Sequence, residues 1–170
     1  MSTPTPLGAV VRGLAAGAVG TGLMTAWQEL AANLQSSGEA SAPAPEDPWE
    51  EASAPAKVAK RVGEGVFQRH VSADLITLLT NGMHWGYGVG WGSVFGVLAG
   101  SAQRPGGLRR GVVFGTGVWL MSYAQLVPMG LYDPPWETPP KDLAMDLSYH
   151  LVYGAGVAGA FRVLDRGRRR

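Results

Sequence analysis

The chain has 170 residues, of which only 16% are charged, with a net charge of +1 and no cysteine. That balance gives no global electrostatic case for a nucleic-acid partner, and it excludes disulfides, thiolate chemistry and cysteine-ligated metals. Soluble domains are about 25% charged and about 7% glycine, whereas here 25 residues are glycine. The mean hydropathy of +0.04 averages uncharged apolar stretches with a polar loop, so the distribution along the chain decides its class.

Residues 8–34 predict a first long helix, free of charge from Gly13 to Trp27 and interrupted only by Arg12, Gln28 and Glu29. About 20 mostly apolar residues span a bilayer, and Arg12 can reach the interface at one end. A basic residue, an apolar run and the small residues Ala31-Ala32 also fit a secretory signal peptide. A similar segment recurs in mid-chain, where a signal peptide has no role, and this favours a retained helix. Residues 35–73 form a loop rich in Ser, Ala, Pro and acidic residues, with an amphipathic helix over 54–69. Ser53 and Pro55 mark its start, and Val58, Val62 and Val66 line one face opposite Lys60, Glu64 and Gln68. Such a helix can lie on a membrane surface or pack over the ends of other helices.

Residues 75–100 hold no charged side chain and predict the second spanning helix. Two glycine ladders run along it: Gly82, Gly86, Gly90, and Gly88, Gly92, Gly96, Gly100. Glycines four apart would make a water-exposed helix unstable, but in lipid they let backbones approach closely. Both ladders are expected to pack against other helices, as are Gly154 and Gly156. Arg104-Pro105-Gly106-Gly107 reads as a tight basic turn. A third helix covers 109–131, with Pro128 near its end, and Tyr132 and Trp136 after it suit an interfacial aromatic belt. The fourth covers 142–165, and a basic tail of Arg166 and Arg168 to Arg170 follows. That tail could bind nucleic acid. Directly after an apolar helix it reads instead as a topology anchor and lipid-headgroup contact, with no nucleic-acid partner.

The chain repeats itself. His84-Trp85-Gly86-Tyr87-Gly88-Val89-Gly90 and His150-Leu151-Val152-Tyr153-Gly154-Ala155-Gly156 share, without a gap, the pattern H-x-x-Y-G-x-G-x-x-x-x-F-x-V-L. Upstream, Arg12-Gly13 and Gly17 match Arg110-Gly111 and Gly115. Leu23-Met24-Thr25-x-x-Gln28 matches Leu120-Met121-Ser122-x-x-Gln125, and Pro48-Trp49-Glu50 matches Pro135-Trp136-Glu137. Internal repeats decide architecture before local signals do. The expected fold is therefore an all-α integral membrane domain over 1–170, with four transmembrane helices forming two tandem parallel-repeat hairpins. Arg12, Arg104, Arg109, Arg110, Arg162, Arg166 and the tail arginines fall on one side. Lys57, Lys60, Arg61, Arg69 and Lys141 fall on the other. The positive-inside rule then puts both termini in the cytoplasm and the Pro-Trp-Glu loops outside, in a multi-pass protein of the cell (inner) membrane.

In that arrangement His84 and His150 lie at equivalent depth, roughly 10–14 Å below the outer surface at 1.5 Å per residue. Tyr87 and Tyr153 lie one turn deeper on nearly the same faces. Gln28, Gln125 and Glu29 return to the same half, so these seven side chains can converge on one outer-leaflet polar core. Three readings of it are open. The groups can be interhelical glue. They can form a site for a proton, ion or small solute, and could sense external acidity. Or the two histidines can ligate haem or a metal. Two histidines are too few for a closed zinc site, so neither a resident metal nor a cofactor is expected. Asp133, Glu137, Asp142 and Asp146 read as solvated carboxylates of loops and helix starts. No nucleophile context and no phosphate-cradling loop after a strand are present. The residues thus point to a non-enzymatic accessory or envelope and acid-stress protein, with a small oligomeric permease or proton-linked channel as the alternative. The partners expected are the bilayer and a second membrane subunit, of the same or another chain.

Met129-Gly130-Leu131, Pro134-Pro135-Trp136 and the run Leu147-Ser148-Tyr149-His150-Leu151-Val152-Tyr153-Gly154 resemble the end of YagU-like inner-membrane proteins and related actinobacterial multi-pass proteins of unknown function. The likeness covers about 110–165, and the helix with His84 more loosely. Those proteins carry Lys-Trp and Pro-Pro-Arg after the first helix, where this chain has Trp27-Gln28 and an Ala-Pro-rich loop, so a role for that loop does not carry over. The resemblance implies a four-helix integral membrane protein without a defined activity.

Overall fold

A computed structural model describes residues 5–35, 47–101 and 107–167. The turn at Arg104 and the arginine tail from Arg168 lie outside the described residues. Among the described residues five α-helices form: α1 (Pro6–Gln35), α2 (Ala54–Gly65), α3 (Ile76–Ser101), α4 (Leu108–Leu126) and α5 (Pro140–Gly167), with a 3-10 turn over Ala73–Leu75 leading into α3. No strand occurs among the described residues. Among the described residues one helix, α1, is long and apolar enough to cross a membrane. α3 bears no charged residue, whereas α1 carries Arg12 and Glu29.

The helix ends follow local chemistry. α5 begins at Pro140, whose missing N–H costs nothing in a first turn. α4 stops short of the expected residue 131. After Leu126 the chain tightens, Leu131 N–H donates to the Leu126 carbonyl (3.0 Å) and Gly130 N–H to that of Val127 (2.9 Å). Gly130 takes a left-handed φ of 61° between them, a glycine-closed Schellman end. α2 ends at Gly65 rather than 69, and Gln68 turns back at φ 51° with its amide donating to the Gly65 carbonyl (2.8 Å). Ser53 precedes α2 without capping it. Its hydroxyl instead meets that of Thr80 at 2.8 Å and ties α2 to the start of α3.

The four long helices make a ring in the order α1, α3, α4, α5, and three of its sides are close. In the first hairpin Gly13 and Gly17 face Gly88, Gly92 and Gly96, and a methyl added at Gly17 would sit 2.9 Å from the Gly88 oxygen and from the Gly92 Cα. In the second, Gly111 and Gly115 meet Gly154 and Ala158 in the same register. Between hairpins, Gly20 lies against Tyr153, Val157 and Gly156. α5 therefore presents Gly154 to α4 and Gly156 to α1, two residues apart and about 200° around the helix. The ladder Gly82, Gly86, Gly90 meets nothing within 4 Å, contrary to expectation. It lies about 200° from the working ladder of α3, and no helix covers that face.

Burial also corrects the alignment of the repeats. Gly13, Gly17, Gly20 and Met24 are buried in α1, as are Gly111, Gly115, Val118 and Ser122 in α4. That register pairs Thr25 with Tyr123 and Gln28 with Leu126. The likeness of Leu-Met-Thr-x-x-Gln to Leu-Met-Ser-x-x-Gln is thus slipped by one residue, a 100° rotation on the helix.

The half of the bundle away from the loops is packed with apolar side chains. Ala16, Phe95, Ala99, Val157, Ala158 and Phe161 are buried together there, with Phe114 packed against them. Phe95 stacks edge-on against Phe114 (4.9 Å between centroids) and Phe161 (5.6 Å). Arg12 lies 5.9 Å over Phe161. The outward faces are apolar as well: Leu7, Val11, Val19, Leu23, Leu78, Val94, Leu98, Val113, Leu120 and Val163 are all exposed.

Candidate functional site

At the loop end the ring encloses a cavity of about 470 Å³. Each long helix contributes: α1 Thr25 and Gln28, α3 His84 and Tyr87, α4 Ser122 and Gln125, α5 Asp146, His150 and Tyr153. Ser53, Pro55 and Val58 from the start of α2 and Tyr132 after α4 complete the lining. Six of the seven side chains expected to converge are here. Glu29 is not among the lining residues and is exposed, because one further step along α1 turns it 100° from Gln28.

The acid that does reach the cavity is Asp146, although its place at a helix start predicts a solvated carboxylate. Its Oδ2 accepts a hydrogen bond from Trp119 Nε1 at 2.9 Å, and its Oδ1 lies 3.8 Å from His150 Nδ1. The signal was present: Asp146 and His150 are four apart, so they share one helix face. His150 Nδ1 is 2.9 Å from the Asp146 carbonyl. A carbonyl only accepts, so Nδ1 carries the proton and Nε2 is the basic nitrogen of the neutral ring. His84 Nε2 lies 3.3 Å from the Thr25 hydroxyl, a partner the repeat did not disclose. Among the described residues no group of three or more His, Asp or Glu side chains is arranged to hold a metal ion.

The two tyrosines have different duties. Tyr153 is 2% exposed and donates to the Gly88 carbonyl at 2.6 Å, closing the cavity floor and joining α5 to α3. Tyr87 is 37% exposed, and its hydroxyl accepts from Gln125 Nε2 at 3.3 Å across the fourth side of the ring. At the rim, burial first and then the Asp146 carboxylate push the Tyr132 phenol above the ordinary range, so it stays a neutral hydroxyl. Trp27 Nε1 donates to the Ser148 hydroxyl (2.9 Å) and pins α1 to α5 beside the site.

The basic residues of α2, which lies over the mouth, have partners elsewhere. Lys57 Nζ donates to the Glu50 carbonyl at 2.9 Å, Lys60 sits 4.5 Å over the Trp49 ring and Arg61 donates to the Met129 carbonyl. No lysine or arginine lines the cavity. The arrangement is a chamber of mainly apolar walls into which polar groups of all four long helices project, above an aromatic floor.

No family model matches the chain, no curated protein matches it, and no solved structure matches it.

Proposed function

We propose that this is a four-span membrane protein whose polar core is an outward-opening, dead-end binding chamber, and that its role is non-enzymatic. The observation that carries this reading is the inversion of the soluble pattern. A soluble bundle turns polar side chains outward, whereas here the outward faces are apolar and polar side chains of all four long helices gather in one cavity. Exposed Val66, Phe67 and Trp136 at the loop end suit an interfacial layer. The packed layer of Phe95, Phe114, Val157 and Phe161 below Tyr153 favours a chamber over a through-channel, since ions and solutes need a continuous polar or wet path.

The absence of cysteine makes the test direct. The protein is expected to stay in the membrane pellet after an alkaline carbonate wash. A cysteine at Ser53 should react with a membrane-impermeant maleimide added outside intact cells, and one at Arg109 only after lysis. Release by carbonate, or labelling of both sites from the same side in intact cells, would overturn the four-span topology.

A further inference from the structure

Asp146 is a carboxylate in a chamber whose lining offers no fixed positive charge. A carboxylate drawn out of water needs a counter-charge or hydrogen bonds. One oxygen, Oδ2, has the Trp119 indole. The other lies 3.8 Å from His150 Nδ1, whose N–H is already given to the Asp146 backbone carbonyl; the Tyr123 hydroxyl also reaches the carboxylate, but it is a neutral donor and brings no counter-charge. The three basic side chains of α2 that could swing in are held by Glu50, Trp49 and Met129. Around this charge the walls carry the phenol rings of Tyr87, Tyr132 and Tyr153 and the thioethers of Met24 and Met83. Aromatic faces attract cations, and more strongly where water is scarce. A volume of about 470 Å³ lies in the range of pockets for small organic molecules.

We propose that the chamber binds a monovalent, largely apolar organic cation, with Asp146 as its counter-ion and the tyrosine rings as its walls. This rests on the outward-opening chamber proposed above. The carboxylate supplies the charge preference, while the apolar walls and the single acid disfavour hydrated divalent ions, which take several oxygen ligands. Gln28, Gln125 and Thr25 can hydrogen-bond a polar substituent but add no charge.

The test uses tetraphenylphosphonium as probe and tetraphenylborate, its counterpart in shape with the opposite charge. The full-length protein is placed in lipid nanodiscs, and binding is measured against empty nanodiscs. Saturable binding of tetraphenylphosphonium and none of tetraphenylborate is expected. Asp146→Asn should weaken the cation by about tenfold or more. Asn81→Lys keeps Asp146 and puts a fixed positive charge on the lining, so it should weaken binding in the same direction. This second variant decides the matter if Asp146→Asn does not fold. Saturable binding of the anion, cation binding unchanged in a folded Asp146→Asn or in Asn81→Lys, or no cation binding at all would overturn the proposal. A cysteine at Ser122, deep in the lining, separates the two levels. If it reacts with a water-soluble maleimide while neither ion binds, the chamber stands and the cation assignment fails. If it does not react, the chamber reading fails and takes the cation with it.

Discussion

The α1/α5 side of the ring and the α3/α4 side are built from matching positions, yet one is closed by backbone and the other by side chains. Gly20 in α1 corresponds by burial register to Val118 in α4, and Tyr153, Gly156, Val157 and Phe161 in α5 correspond to Tyr87, Gly90, Trp91 and Phe95 in α3. Where Gly20 meets Gly156 and Val157, the backbones nearly touch. Where Val118 and Trp91 stand instead, α3 and α4 are held apart, and Trp91, Phe95 and Phe114 fill the space edge to face. The same motif thus yields a buried Gly156 and an exposed Gly90, and a sealed Tyr153 and a half-open Tyr87. The loops diverge likewise: Trp49 is 9% exposed under Lys60 and Trp136 is 80% exposed. A repeat fixes the type of contact, and a few side-chain volumes decide which copy of it closes.

Substitutions can break or sharpen this contrast. The largest effect is expected at the shared glycine contacts. Gly154→Leu would drive a side chain into the Gly111 and Gly115 backbone, costing about 3 kcal/mol or more, and should abolish a monodisperse peak in detergent gel filtration. Gly86→Leu, on the open face of α3, should leave that peak unchanged. Next comes Phe114→Ala, which removes the ring between Trp91, Phe95 and Tyr153. It should cost about 3 kcal/mol, read as a lower midpoint in thermal unfolding. If it costs nothing, side chains do not carry the wide side. Gly156→Ala brings a methyl to 3.0 Å from the Gly20 Cα and should cost about 1–2 kcal/mol, against less than about 0.5 kcal/mol for Gly90→Ala. Equal costs at both positions would remove the asymmetry. The smallest difference lies at the tyrosines. Tyr153→Phe leaves the Gly88 carbonyl without its side-chain donor and should cost about 1 kcal/mol, while Tyr87→Phe loses one long bond and should cost about half as much.

Much of this was legible in the sequence. The long helices, the small-residue ladder on α3 and the gathering of His84, His150, Tyr87, Tyr153, Gln28 and Gln125 all follow from periodicity and repetition. Four features of the structure depart from that reading. The one-residue slip between α1 and α4 is invisible in a motif match, because Leu-Met-Thr-x-x-Gln lies equally well in either register, and only the packing of Gly13 and Gly17 fixes the rotation. Depth along α1 puts Glu29 level with the site, but its rotation about the helix turns it away. Closeness to a helix start predicts a solvated Asp146, although its spacing from His150 carries the better information. The idle ladder Gly82, Gly86, Gly90 has a different cause, since composition marks a face as able to pack and only a partner of the right width makes it do so.

One feature of the ring bears on the order in which it can be made. α5 is the hub: it touches α1 through Gly156 and α4 through Gly154, and it brings Asp146, His150 and Tyr153 to the chamber. It is also the helix that follows the other three along the chain. During synthesis the first hairpin can therefore settle through local glycine contacts, but neither the chamber nor its charge exists until α5 has entered between its neighbours. A chain halted before Tyr153 would leave the Gly88 carbonyl without its side-chain donor and the Gly20 face uncovered.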